Sequence, residues 1–167
     1  AISKMKIMQE SIASNNLNEN NKALNLAKWI TGMPILYYPW GLQSAAIRFK
    51  NSLQENSKLH VVTEDIIEVC HNGIVSWEQN SNMQPILIRG YDDYFKTKER
   101  WKILKEFFDS KQIEYKEISS VKGSIISKII NLIYLFDYVS VYHSVISGID
   151  PSPVSAIDFI KERLSKD

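Results

Sequence analysis

Glycine and cysteine are both scarce. Six glycines are spread through 167 residues without clustering. Neither G-x-G-x-x-G nor G-x-x-x-x-G-K-[ST] occurs, so a nucleotide cofactor held on a glycine-rich turn is not expected. One cysteine, Cys70, excludes an internal disulfide framework and fits a reducing, cytoplasmic compartment. Cys70 as a nucleophile stays open on composition, beside the plainer reading of a buried structural thiol. His60, His71 and His143 are scattered, and Cys70 next to His71 lacks zinc spacing, so no metal site is expected. The nucleophile elbow G-x-S-x-G is absent as well. Twenty Lys and Arg against nineteen Asp and Glu leave a net charge of +1, with no basic excess to attract nucleic acid. An anionic ligand must therefore be held locally. No signal peptide is visible, because Ala1-Ile-Ser-Lys-Met-Lys6 builds no apolar core. The most apolar stretch, Ile125 to Ile146, is interrupted by Lys128, Asn131, Asp137 and His143. Charges at membrane depth are expensive, so neither a membrane nor a nucleic acid is an expected partner.

What is present is an ordinary globular balance, 44% hydrophobic and 23% charged, enough for one domain or half of a two-domain protein. Ile2 to Ser14 reads as a helix. A second, capped by Asn18 or Asn20, runs through Leu24, Leu26 and Ile30 to Gly32. Pro34 to Pro39 is a short continuous apolar run, the pattern of a strand buried on both faces. A helix over Leu42–Leu53, a strand over Leu59–Val62 and a short helix over Glu64–Cys70 follow. After a polar loop, Pro85–Gly90 is the third strand. Asp92 or Asp93 opens a helix through Trp101 and Phe108, and Ile113–Ile118 is the fourth strand. Gly123–Ser147 is expected to be a long helix, apolar nearly all round and therefore buried. Gly148-Ile-Asp-Pro151 breaks it, and a last helix spans Val154–Leu164. Strands alternating with helices predict an α/β fold, a three-layer α-β-α sandwich with a mostly parallel sheet. Such sheets hold ligands beyond the carboxyl ends of their strands. Ser119-Ser-Val-Lys-Gly-Ser124 and Gly41–Ser44, both at helix starts, could hold a phosphate or could simply be N-caps.

Three titratable residues stand out. Glu55, in Gln54-Glu-Asn-Ser-Lys58, stands where a helix should end. A carboxylate facing the negative end of a helix dipole is favoured in its protonated form, which suits a general base working near neutrality. His71 lies in a polar loop, where an imidazole can move protons. Lys161 lies on the last helix. Each also has a plain structural reading: a solvated glutamate, a structural histidine, a solvated lysine.

The runs Gln54-Glu-Asn-Ser-Lys58, His71-Asn-Gly-Ile-Val-Ser-Trp77, Asp137-Tyr-Val-Ser140 and Gly148-Ile-Asp-Pro-Ser-Pro-Val154 resemble the carboxy-terminal domain of archaeal bifunctional phosphoglucose/phosphomannose isomerases. Those enzymes are built of two tandem SIS (sugar isomerase) domains with a flavodoxin-like fold. The resemblance runs from about Pro34 to Leu164. It implies that Glu55 is the base moving a proton between C1 and C2 of the open sugar phosphate through a cis-enediol. His71 would open the ring, Lys161 would assist at the same end, and Ser152 would shape the pocket around C2. No metal or cofactor is implied. The sequence departs from the family at Gly73, at Ser76 and over Ser57-Lys-Leu-His-Val61. The family's first SIS domain, which carries the phosphate loop, has no counterpart before Pro34. Residues 1–32 are therefore expected to be interdomain helices and 33–167 the second SIS domain, as a fragment or a natural split protein. The family's dimers share the histidine across the subunit boundary, which implies a homodimer. A non-catalytic phosphosugar-binding SIS module and a dimerisation domain stand as alternatives.

Overall fold

The computed structural model describes residues 2–164. It opens with α1 (Ile2–Ile12) and α2 (Lys22–Trp29). The cap of α2 is Asn21, not Asn18 or Asn20: its side-chain oxygen accepts from Leu24 N at 2.9 Å. Its amide donates to the carbonyls of Ile12 and Asn16 at 3.1 and 2.8 Å. A fully buried Asn21 thus joins the end of one helix to the start of the next. Asn18 serves the turn instead, accepting from Asn20 N at 2.9 Å.

There follow β1 (Met33–Tyr38), a 3-10 turn at Trp40–Leu42, α3 (Gln43–Ser57), β2 (Val62–Asp65) and α4 (Ile66–Val69). A second 3-10 segment, Gly73–Glu78, leads to β3 (Met83–Arg89), α5 (Phe95–Ser110), β4 (Lys116–Ser119), α6 (Ile125–Ile146) and α7 (Ser155–Leu164). The four strands form one parallel sheet in the order β2-β1-β3-β4. Leu36 stands beside Ile86, and Ile88 beside Ile118. Helices cover both faces, so the expected three-layer α/β sandwich is present.

Alternation along the central strands feeds two cores. Leu36, Tyr38, Ile86 and Ile88 face α2, α3 and α6, where Phe49 and Phe136 stack at 4.1 Å. Ile35, Tyr37 and Leu87 face the other way, toward Trp77, Trp101 and Phe108. There the Trp77 indole donates to the buried Tyr37 hydroxyl at 2.9 Å. Burial pushes the Tyr37 phenol far above its ordinary value.

Both edge strands begin three residues later than expected, and for one reason. Lys58 and Gln112 adopt left-handed backbone conformations, φ 54° and 56°. In each case the next residue turns its amide back to close the preceding helix: Leu59 N to the Leu53 carbonyl at 3.4 Å, Ile113 N to that of Phe108 at 2.9 Å. The apolar residues that resemble strand starts are therefore helix terminators. Asp92 and Asp93 do not open α5 either, since Tyr94 holds the N-cap position.

The expectation that α6 is buried all round is corrected. Leu132, Leu135, Phe136 and Val139 lie in the core, but Ile126, Ile130, Val141 and Val145 face outward, because α1, α2 and α3 pack against one side of it and leave this stripe uncovered. By length and composition α6 could cross a membrane. Here its inner face also buries Asn131, Ser140 and His143 against the domain body. On α7 no side chain is buried.

Candidate active site

A crossover helix between parallel strands runs back along the sheet, so α3 starts at the carboxyl edge and ends at the amino edge. Glu55 lies in its last turn and is exposed to solvent. Beside it is a cleft of about 160 Å³, lined by Gln54, Glu55 and Lys58 on one side and by residues from Pro153 to Ile157 on the other. The structure therefore brings Glu55 to the α6–α7 loop that carries Ser152. That loop is shaped by Asp150, whose carboxylate accepts from Ser152 N at 2.9 Å. This backbone hydrogen bond, with the Ser152 hydroxyl and the Lys58 charge, holds the Asp150 carboxyl below the usual range.

Lys58 spans the cleft. Its ammonium donates to the carbonyls of Glu55 at 2.6 Å and of Pro153 at 2.7 Å, with Pro151 at 3.4 Å. The Gln54–Lys58 motif, read for its carboxylate, does not single out this lysine. The available signal was a cation directly after a helix end, where unpaired carbonyls collect. Lys161 is exposed one turn beyond Ile157 on the same face of α7, and does not line the cleft.

His71 is not in this group. It follows β2 and α4 at the carboxyl edge of the sheet, exposed, with its amide bonded to the Glu68 carbonyl at 3.0 Å. Within one chain the sheet separates it from Glu55. Cys70 beside it is half-buried, and burial pushes its thiol up against the opposing pull of Arg100.

Of the two candidate phosphate segments, Gly41–Ser44 places Leu42 at the N-cap of α3 with no side-chain cap bond, and its Leu42 amide donates to the Pro39 carbonyl at 2.8 Å, while Ser119–Ser124 is engaged in internal side-chain bonds. Ser124 caps α6, accepting from Ser127 N at 3.3 Å. The Ser120 hydroxyl accepts from Tyr91 N at 3.0 Å. Between the loops after β1 and β3 lies a crevice of about 280 Å³, lined by Gly41, Gly90, Asp92, Asp93 and Lys128 among others. Asp92 is paired with Lys128, which holds its carboxyl low. The Asp93 carboxylate accepts from Gly90 N at 3.0 Å and from the Trp101 indole at 3.1 Å. Burial raises Asp93, partly offset by those bonds and by Arg89 and Lys128. A chain carboxylate thus already holds the strand-end amide that an anionic ligand would need. Among the described residues no three His, Cys, Asp or Glu side chains group as metal ligands.

Residues 19–164 match the bacterial phospho-glucose isomerase C-terminal SIS domain. The chain belongs to this family. Among its curated relatives, a bifunctional phosphoglucose/phosphomannose isomerase of Caldicellulosiruptor bescii is 30% identical over 87% of this chain and 44% of its own length. One from Aquifex aeolicus is 29% identical over 92% of the chain and 51% of its own. One from the archaeon Thermoplasma acidophilum is 29% identical over 80% and 42%. The SIS domain described here thus spans about half the length of the curated relatives it matches. Among solved structures, a glucose-6-phosphate isomerase like protein from Thermus thermophilus superposes with a TM-score of 0.75 at 14% identity, over 96% of this chain and 53% of that one. The C-terminal domain of glucosamine-fructose-6-phosphate aminotransferase from Francisella tularensis gives 0.62 at 14%, over 90% and 46%. These two likenesses show the SIS fold.

Proposed function

We propose that this SIS domain is the catalytic carboxy-terminal part of a cytoplasmic sugar-phosphate isomerase interconverting glucose 6-phosphate and fructose 6-phosphate. Mannose 6-phosphate would be a further substrate, since its open form gives the same 1,2-enediol. The observation that carries this reading is the cleft shared by Glu55 and the Ser152 loop. The Glu55 carboxylate takes the proton from C2 of the open aldose while O1 is protonated, and returns it to C1 as the C2 hydroxyl loses its proton. The cis-enediol lies between the two steps. One base of suitable basicity and one acid at the ring oxygen suffice for this chemistry, with no metal or cofactor. His71 is assigned to ring opening, Lys161 to the same end of the sugar, and Ser152 to the pocket around C2.

Because Glu55 and His71 lie at opposite edges of one chain, the working site takes His71 from a second copy. The outward apolar side chains of α6, with Ile157, Phe159, Ile160 and Leu164 on α7, are surfaces suited to such association. In this reading residues 1–32 lead in from a preceding SIS domain, residues 33–167 form the second, and the preceding domain supplies the phosphate site. A non-catalytic phosphosugar-binding module would need a ligand at Ser119–Ser124, where the Ser120 hydroxyl and Ser124 are already bonded within the chain. Isomerase activity assayed on this chain, with and without the presumed amino-terminal half, tests the proposal. Turnover with the half added supports it, and none under either condition rejects it.

A further inference from the structure

No buried side chain holds α7 to the domain, so its placement depends on the segment that precedes it and on the contacts around the Glu55 cleft. That segment, Gly148 to Val154, contains two prolines, which present carbonyls but no amide donors. The Pro151 and Pro153 carbonyls point to the last turn of α3, itself a cluster of carbonyls without intrahelical partners. Two acceptor-rich ends meet there, and the Lys58 ammonium stands between them, bonded at 2.6 Å to Glu55, 2.7 Å to Pro153 and 3.4 Å to Pro151. The Asp150 carboxylate faces the same charge. The backbone of Lys58 is left-handed at φ 54°, a conformation that glycine adopts more readily.

We infer that Lys58 is a positioning residue: its ammonium ties the Pro151–Pro153 carbonyls to the end of α3 and so sets Ser152 and α7, with Lys161, relative to the Glu55 carboxylate. This rests on the isomerase reading for its catalytic meaning, but not for the tie itself.

Two variants separate the side chain from the backbone. Lys58→Gly removes the ammonium while relaxing the left-handed residue, and Lys58→Arg keeps a cation of similar reach. Hydrogen exchange on this chain is the first readout. In Lys58→Gly the amides of residues 148–164 are expected to exchange about tenfold faster or more, with β1 and the body of α3 unchanged and Lys58→Arg close to wild type. Exchange in 148–164 within about twofold of wild type in Lys58→Gly overturns the tie. The second readout is turnover with the amino-terminal half present. A misplaced constellation lowers kcat about tenfold or more with KM little changed, and Lys58→Arg restores it. An unchanged kcat in Lys58→Gly with faster exchange in 148–164 overturns the positioning role. No turnover in the wild type overturns the isomerase reading, while the exchange result still decides the tie.

Discussion

Glu55 and His71 lie at opposite edges of the same sheet, one at the end of the helix leading into β2 and the other just beyond the helix leading out of it. The proposed site draws them from different copies. Glu55→Gln and His71→Ala, each nearly inactive alone, are then expected to complement when mixed. Random pairing puts one intact site in half of the dimers, about a quarter of wild-type activity. Mixtures no more active than their components would show that the two groups never share a site.

The Glu55→Gln substitution keeps size and hydrogen bonding while removing the base. Turnover is expected to fall about a hundredfold or more, the usual contribution of a placed general base. Steady-state assay of the active assembly decides it, and a loss of only a few-fold removes Glu55 from that role.

Asn21 holds three backbone groups together from a buried position. Asn21→Ala takes the side-chain partner from the Asn16 carbonyl and the α2 start, while the Ile12 carbonyl keeps the Tyr142 hydroxyl at 2.6 Å. It should destabilise the fold by about 2–3 kcal/mol, read as a lower urea midpoint at unchanged slope.

The buried imidazole of His143 is paired with the Ile30 carbonyl at 3.2 Å. Burial holds its pKa below the ordinary 6.5, against the raising effect of that bond. Below about pH 6.5 the unfolded chain takes up a proton that the folded one resists, so stability falls with pH until the folded value is reached. His143→Gln is expected to flatten that part of the stability profile between about pH 7 and 5. An identical slope in the variant would assign the loss to other groups.

The legible parts of the fold were those written in continuous apolar runs: β1, β3 and the core stripe of α6. Leu59 and Ile113 misled because a residue that closes a helix and one that starts a strand are both apolar, and only the left-handed Lys58 and Gln112 before them tell the two apart. At the cleft, Lys58 and Pro153 are 95 positions apart along the chain, and no local pattern joins them. The motif resemblance singles out Glu55 and Ser152; the position of Lys58 after a helix end is a local signal, but its bond across the cleft to Pro153 is tertiary information. At the carboxyl edge the sequence leaves an anion site and ordinary N-caps both open. Small residues and hydroxyls suggested an anion site, and the folding back of Asp93 onto Gly90 is tertiary information.

The two outer strands are four residues each and carry Glu64 and Asp65 on one side, Lys116 and Glu117 on the other. Glu117 is further bound to Arg89 and Lys105 at 2.8 and 2.9 Å. Neither rim of the sheet presents a long uncharged ladder to a stranger's backbone. Crowding this domain with copies of itself should therefore drive contact through helical surfaces and leave ribbon-like stacking disfavoured.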